Sequence, residues 1–121
     1  MSQYNLGVLY AQGKQMEQND NKAVYWWRKA ANQGNAMAQN NLGIMYMQGK
    51  GGLERNDEEA AKLFRQSAEQ GYSEAQNNLA VMLVKGQGVE KNQEEAVEWF
   101  RKAAAQGHAG AKDALRQLGK E

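Results

Sequence analysis

The chain has 121 residues, of which 41% are hydrophobic and 24% charged, with no proline and no cysteine. Fifteen Lys and Arg against 14 Asp and Glu leave a net charge of +1, without the basic excess that marks a protein living on nucleic acid. Without cysteine there is no disulfide framework, thiolate metal site or Cys nucleophile, and the single histidine, His108, cannot build a multi-His metal site.

The same residues return in the same order along the chain. Leu6, Leu42, Leu79 and Leu115 lie 36 or 37 residues apart. Each of the first three is followed by a glycine (Gly13, Gly49, Gly86), an acidic residue and an asparagine (Glu17 and Asn19, Glu54 and Asn56, Glu90 and Asn92). An alanine (Ala23, Ala60, Ala96), an aromatic ring (Trp27, Phe64, Phe100), a second alanine (Ala31, Ala68, Ala104) and a closing glycine (Gly34, Gly71, Gly107) complete the unit. Internal repetition at this period is the signature of stacked helical repeats.

In chain order, the 3.6-residue period predicts seven helices, at about 3–12, 20–33, 36–48, 57–70, 73–85, 93–106 and 109–118. The helix at 36–48 carries Ala38, Leu42, Met45 and Tyr46 on one stripe, with Gly49 placed to end it in the left-handed conformation. The helix at 57–70 opens on Asn56 with Glu59 three residues later, an asparagine form of the capping box. Asn92 with Glu95 repeats that pair, whereas Asn19 is followed by Lys22, so the helix at 20–33 is expected to start less firmly. Ala60, Leu63, Phe64, Ser67 and Ala68 form a buried stripe. Ala38, Gly43, Ala75 and Ala80 permit close helix approach. A single helix pair cannot bury such a stripe, but stacked pairs can, so the expected fold is an all-α solenoid of antiparallel helix pairs. An up-down bundle uses the same amphipathic helices, and the strict repeat with its recurring loop chemistry argues against it. The expected layout is one domain: repeat 1 at about 2–34, repeat 2 at 35–71, repeat 3 at 72–107 and a closing helix at 108–121.

The recurring string A-x-x-x-L-G-x-x-Y-x-x-G, a short Gly-containing loop and A-x-x-W-[WF]-R-K-A-A-x-Q-G resembles the Sel-1-like repeat family, relatives of the tetratricopeptide repeats. Residues 23–34, 38–49 and 96–107 carry it most fully, and the Gly-x-Gly-Val loop at 86–89 sets it apart from tetratricopeptide units. Departures are Gln15-Met16 in the first loop, and Ala80 and Leu83 where the other units have Gly and Tyr. The resemblance implies a right-handed α-α superhelix whose first helices line a concave face. It also implies a non-enzymatic adaptor or scaffold that holds other proteins, often in bacterial signalling, envelope biogenesis or host interaction. The missing cysteines exclude the disulfide-tied subgroup.

On first helices so placed, the residues left over from packing become the candidate partner site. These are Val8, Ile44, Met47, Val81 and Val84 after the leucines, Tyr4, Asn40 and Asn77 two places before them, Asn5, Asn41 and Asn78 directly before them, and Lys85. An Asn side chain offers both a donor and an acceptor to the main chain of a bound segment. The aliphatics serve equally well as core, and Asn41 as a contact to the next repeat. Met37, Met45, Met47 and Met82 suit either an adaptable surface or core filling.

No catalytic residue, cofactor or metal is expected. Glu58-Glu59 and Glu94-Glu95 are adjacent on a helix and point about 100° apart, and acids in a first turn complement the dipole. His108 reads as a surface residue, and the run Gly49-Lys50-Gly51-Gly52 lacks phosphate-loop spacing. Arg28, Lys29, Arg65, Arg101 and Lys102 read as a solvated face near helix C-termini. An RNA-reading repeat is disfavoured because the groove offers few cations beyond Lys85. Self-assembly is the other alternative. The first helix is short and no polar cap precedes it, which fits a fragment of a longer array or a homodimer through Tyr4, Tyr25 and Trp26. At the other end, Lys112, Asp113, Arg116, Gln117, Lys120 and Glu121 give 109–121 the polar face of a cap. No apolar run reaches the roughly 20 residues of a membrane span, and no signal-peptide core opens the chain. Cytoplasmic residence is therefore the default expectation, with periplasmic or secreted residence if a leader was removed.

Overall fold

The computed structural model describes residues 17–50 and 52–120, with side chains described from Ala23 onward. Six helices follow one another: α1 (Glu17–Asn32), α2 (Ala36–Gln48), α3 (Asp57–Glu69), α4 (Ser73–Lys85), α5 (Gln93–Ala105) and α6 (Ala109–Leu118). No strand occurs among the described residues. Each helix packs chiefly on its neighbours in the chain, so the molecule is a helical-repeat solenoid and not a closed bundle. The helix expected at 3–12 lies outside the described residues.

The local chemistry explains the boundaries. Asn56 and Asn92 accept from the amides of Glu59 and Glu95, each at 3.0 Å, and start α3 and α5. α1 behaves differently: the helix is described from Glu17 onward, and Asn19 lies inside it instead of capping it. Lys22 leaves the capping box incomplete, so the stop that fixes the other two helices is missing there. Gly49 and Gly86 end α2 and α4 at φ values of +67° and +68°. The loops that follow are closed by the same bond, since Asn56 donates its amide to Tyr46 and Asn92 donates to Leu83, each at 2.9 Å. Gly88 explains the Gly-x-Gly loop: its φ is +71°, and a Cβ there would collide with the Asp57 carbonyl of the preceding repeat.

The core runs along the stack. Ala38, Leu42 and Met45 of α2 pack with Trp27 of α1 and Leu63 of α3. Phe64, Leu79, Leu83, Phe100 and Leu115 belong to the following cluster. All five residues of the stripe read on α3 are buried. Of the stripe read on α2, Ala38, Leu42 and Met45 are buried and Tyr46 is half-buried. Gly43 is where α2 and α3 come closest, for a Cβ there would fall 2.8 Å from the Phe64 ring. Ala80 takes that register on α4.

A pair of buried glutamines ties consecutive repeats together. Gln39 donates to the carbonyl of Ala31 at the end of α1 (3.3 Å) and accepts from Gln70 at the end of α3 (2.8 Å). One repeat on, Gln76 donates to Ala68 (3.2 Å) and accepts from Gln106 (3.1 Å). Each amide thus adds a second donor to a helix-end carbonyl that already accepts from the closing glycine's amide, and links three helices. Gln76→Ala removes one bond each from the Ala68 carbonyl, which keeps the Gly71 amide, and from the Gln106 amide, which keeps the Gly71 carbonyl, and the expected loss is about 0.5–1.5 kcal/mol in urea denaturation. A loss no greater than that of the exposed control Lys62→Ala would contradict this role.

Candidate functional site

α2 and α4 are the first helices of two successive repeats, and the residues read as partner-facing fall into three groups. Ile44 and Met47 on α2, with Val81 and Val84 on α4, are half-buried and lie against the core cluster, so one flank packs inward while the other stays open. Lys85 is exposed at the last turn of α4, where a cation complements the helix dipole. The asparagines divide. Asn41 and Asn78 are half-buried, but Asn40 is only 3% exposed, and its Oδ1 accepts from Nδ2 of Asn78 across the repeat boundary at 2.9 Å. The expectation that Asn40 lines the groove surface is therefore corrected: it is a rung between two first helices. Asn77 is half-buried with its Oδ1 enclosed and unpartnered. Tyr4, Asn5 and Val8 lie outside the described residues.

Hollows mark the surface of the described residues. One of about 180 Å³ lies at the seam between α4 and α6, bringing Val81, Val84 and Lys85 together with Phe100, Ala114, Gln117 and Leu118. Gln117 occupies on α6 the register of Ile44 and Val81, so this hollow continues the row along the first helices. Ala114 and Leu118 were not legible as site residues, because their role depends on the width of a seam and not on a motif. The two wider hollows, about 500 and 440 Å³, involve the second helices and are lined by Glu94, Glu98 and Arg101, and by Arg65, Glu90 and Glu95. Their charged walls suit solvent better than an apolar partner segment.

The second helices use their charges on one another. Arg65 of α3 donates to Glu95 of α5 at 2.9 Å, and the Trp99 indole donates to the same carboxylate at 3.1 Å. Burial pushes the Glu95 carboxyl up, but the hydrogen bonds from Trp99 and Arg65 and the Arg65 charge outweigh it and hold the group below its ordinary value. Arg55 does the same for Asp57 by hydrogen bond and charge, aided by Gln87 and opposed by burial. The recurring cations are engaged as well as exposed. Arg28 donates to the Tyr46 hydroxyl and Arg101 to the Lys120 carbonyl, while Lys29 sits 4.6 Å from the Tyr25 ring centroid and Lys102 sits 4.5 Å from that of Trp99. Arg28, Lys29, Arg101 and Lys102 are exposed, as the solvated-face reading expects, and Arg65 is half-buried.

His108 is not a free surface histidine. Its Nδ1 accepts from the Ala111 amide at 3.0 Å and caps α6, while Nε2 faces Glu74 at 3.4 Å. Tyr25 is 53% exposed and meets Trp26 edge-to-face at 5.3 Å. Among the described residues no group of three His, Asp or Glu is placed to hold a metal ion, and no helix is long and apolar enough to cross a membrane.

This architecture, with its first-helix row and glutamine ties, defines a helical-repeat solenoid of the SLR type. The Sel1 repeat model matches residues 1–35, 36–72 and 73–108, and the chain belongs to the Sel1 repeat family, whose members serve as protein–protein interaction modules. Among solved structures it is similar to a Sel1 repeat protein from Oxalobacter formigenes (41% identity, TM-score 0.83), covering 90% of this chain and 44% of that one. It is also similar to c5321, a protective antigen present in uropathogenic Escherichia coli strains that displays an SLR fold. That match has 36% identity and a TM-score of 0.85, and covers 93% of this chain and 24% of that one. Helicobacter pylori cysteine rich protein B shares the fold at 24% identity and a TM-score of 0.80, over 90% of this chain and 80% of that one. No curated protein matches. The chain thus spans less than half the length of the first two of these relatives.

The depressed Glu95 value has a consequence in acid. Its contribution to stability is complete above the unfolded value of about 4.3 and is lost as pH falls through the lower folded value. Glu95→Gln should flatten the fall in melting temperature below pH 5 and cost roughly 0.5–1 kcal/mol at pH 7, the scale of a partly exposed ion pair. Parallel pH profiles for the two proteins would contradict this.

Proposed function

We propose that the chain is a non-enzymatic scaffold that holds a segment of a partner polypeptide along the groove lined by its first helices. The observation that carries this reading is the row of half-buried apolar side chains, Ile44 and Met47 followed by Val81 and Val84, running into the 180 Å³ hollow beside α6. Such a row offers apolar area to a partner without exposing a large patch to water. Asn41 and Asn78 flank it with amide groups suited to a main chain. The relatives being interaction modules supports the same class. The three repeats and the closing helix are proposed to act as one binding unit.

Self-association is a second reading, favoured by the 53% exposure of Tyr25 beside Trp26. Tyr4 was grouped with these two, and its part in such a contact is a proposal from the sequence alone. One experiment separates the readings. A photo-reactive side chain placed at Ile44 or Val81 should crosslink a distinct partner in source-cell lysate, while the same probe at Lys62 should not. Crosslinks to that partner from Lys62 alone would contradict the groove reading. A probe at Tyr25 that captures a second copy of the chain would support self-association.

A further inference from the structure

The seam between α4 and α6 lacks a hydrogen bond that the seam between α2 and α4 has. Between α2 and α4, Asn78 reaches back to the Oδ1 of Asn40 at 2.9 Å. Advanced by one repeat, Asn40 becomes Asn77 and Asn78 becomes Ala114. Gly110, one helical turn before Ala114, lies against the Asn77 amide, so α6 does cross α4 at this level. Alanine has no side-chain donor, and the Asn77 Oδ1 is left enclosed without a partner. Alanine also has little volume, and the 180 Å³ hollow opens beside it, lined by Val81, Val84, Leu118 and the edge of Phe100. Ala114 thus both lacks the donor for the rung and borders the hollow.

The hollow is smaller than the roughly 300 Å³ at which sites for drug-sized ligands begin, and it suits one side chain. No carboxylate lines it, whereas both wider hollows carry glutamates. Lys85 stands at its edge with no ion-pair partner among the described residues. We infer that the α4–α6 seam is the anchor point of the groove: it receives one bulky apolar side chain of the partner segment, next to an acidic side chain that pairs with Lys85. This rests on the groove reading and assigns the partner's chemistry within it.

The test is a methyl-resolved NMR titration of the full chain with three capped octapeptides of glycine and serine, carrying a central Leu-Glu, Leu-Lys or Ala-Glu pair. The Leu-Glu peptide should shift the Val81, Val84 and Leu118 methyls saturably. The Leu-Lys peptide should bind about fivefold more weakly at low salt, the scale of an exposed ion pair, and the Ala-Glu peptide should not saturate. Lys85→Glu, a surface change, should reverse the Leu-Glu and Leu-Lys order. Ala114→Asn restores the rung to Asn77 and fills the hollow, so it should melt no lower than the native chain and lose the Leu-Glu peptide. Equal binding of Leu-Glu and Ala-Glu, an order indifferent to Lys85→Glu, or unchanged binding to a folded Ala114→Asn chain would each overturn the inference. Shifts confined to Ile44 and Met47 would overturn the anchor while leaving the groove reading intact.

Discussion

The structure depends on a helix-end problem solved between repeats. A helix leaves its last carbonyls without intrahelical donors, and in a stack those ends are buried by the next unit. The amides of Gly34 and Gly71 meet two of these carbonyls locally, and Gln39 and Gln76 add one amide each, which donates to the end of one second helix and accepts from a glutamine at the end of the next. These bonds span consecutive repeats alongside the continuous apolar core and other polar contacts. The Arg65–Glu95 pair joins repeats 2 and 3, and within repeat 2 the Ser67 hydroxyl donates to the Ala36 carbonyl at 2.6 Å. On α6 the same register holds Lys112, which is exposed, so the relay ends there.

The stack has two kinds of surface. The second helices turn their charges toward each other, with Arg65, Glu95 and Trp99 forming a network and Lys29 and Lys102 lying over aromatic rings. Those side chains are already matched. The first helices instead present a row of aliphatic flanks with asparagines beside them, and near Lys85 a charge without a partner among the described residues. A surface with open apolar flanks and an unpaired cation has more to gain from a partner than one whose charges are already paired.

The repeat, the helix order and most boundaries were legible because they rest on local rules. Asn56 and Asn92 cap, Gly49 and Gly86 terminate, and the alanine–aromatic stripe has a 3.6-residue period. What was not legible depends on partners distant in sequence. Gln39 and Gln76 recur 37 residues apart, as do Gln33 and Gln70, and that recurrence was the available signal. A glutamine carries no hydropathy signal for burial, so its role emerged only with the carbonyl it meets. Asn40 and Asn41 are neighbours of the same type, and one turn of a helix decides that the first becomes a buried rung. The hollow at Ala114 is a missing side chain, which no motif announces. His108 is invisible as a cap for a similar reason, since histidine is not among the usual capping residues.

The most direct measurement of the central claim is hydrogen exchange by mass spectrometry on the chain alone and bound to its crosslinked partner. Binding along the first helices predicts added protection in α2 and α4, residues 36–48 and 73–85, with α3 and α5 unchanged. Protection confined to α3 and α5 would place the partner on the second helices and contradict the account.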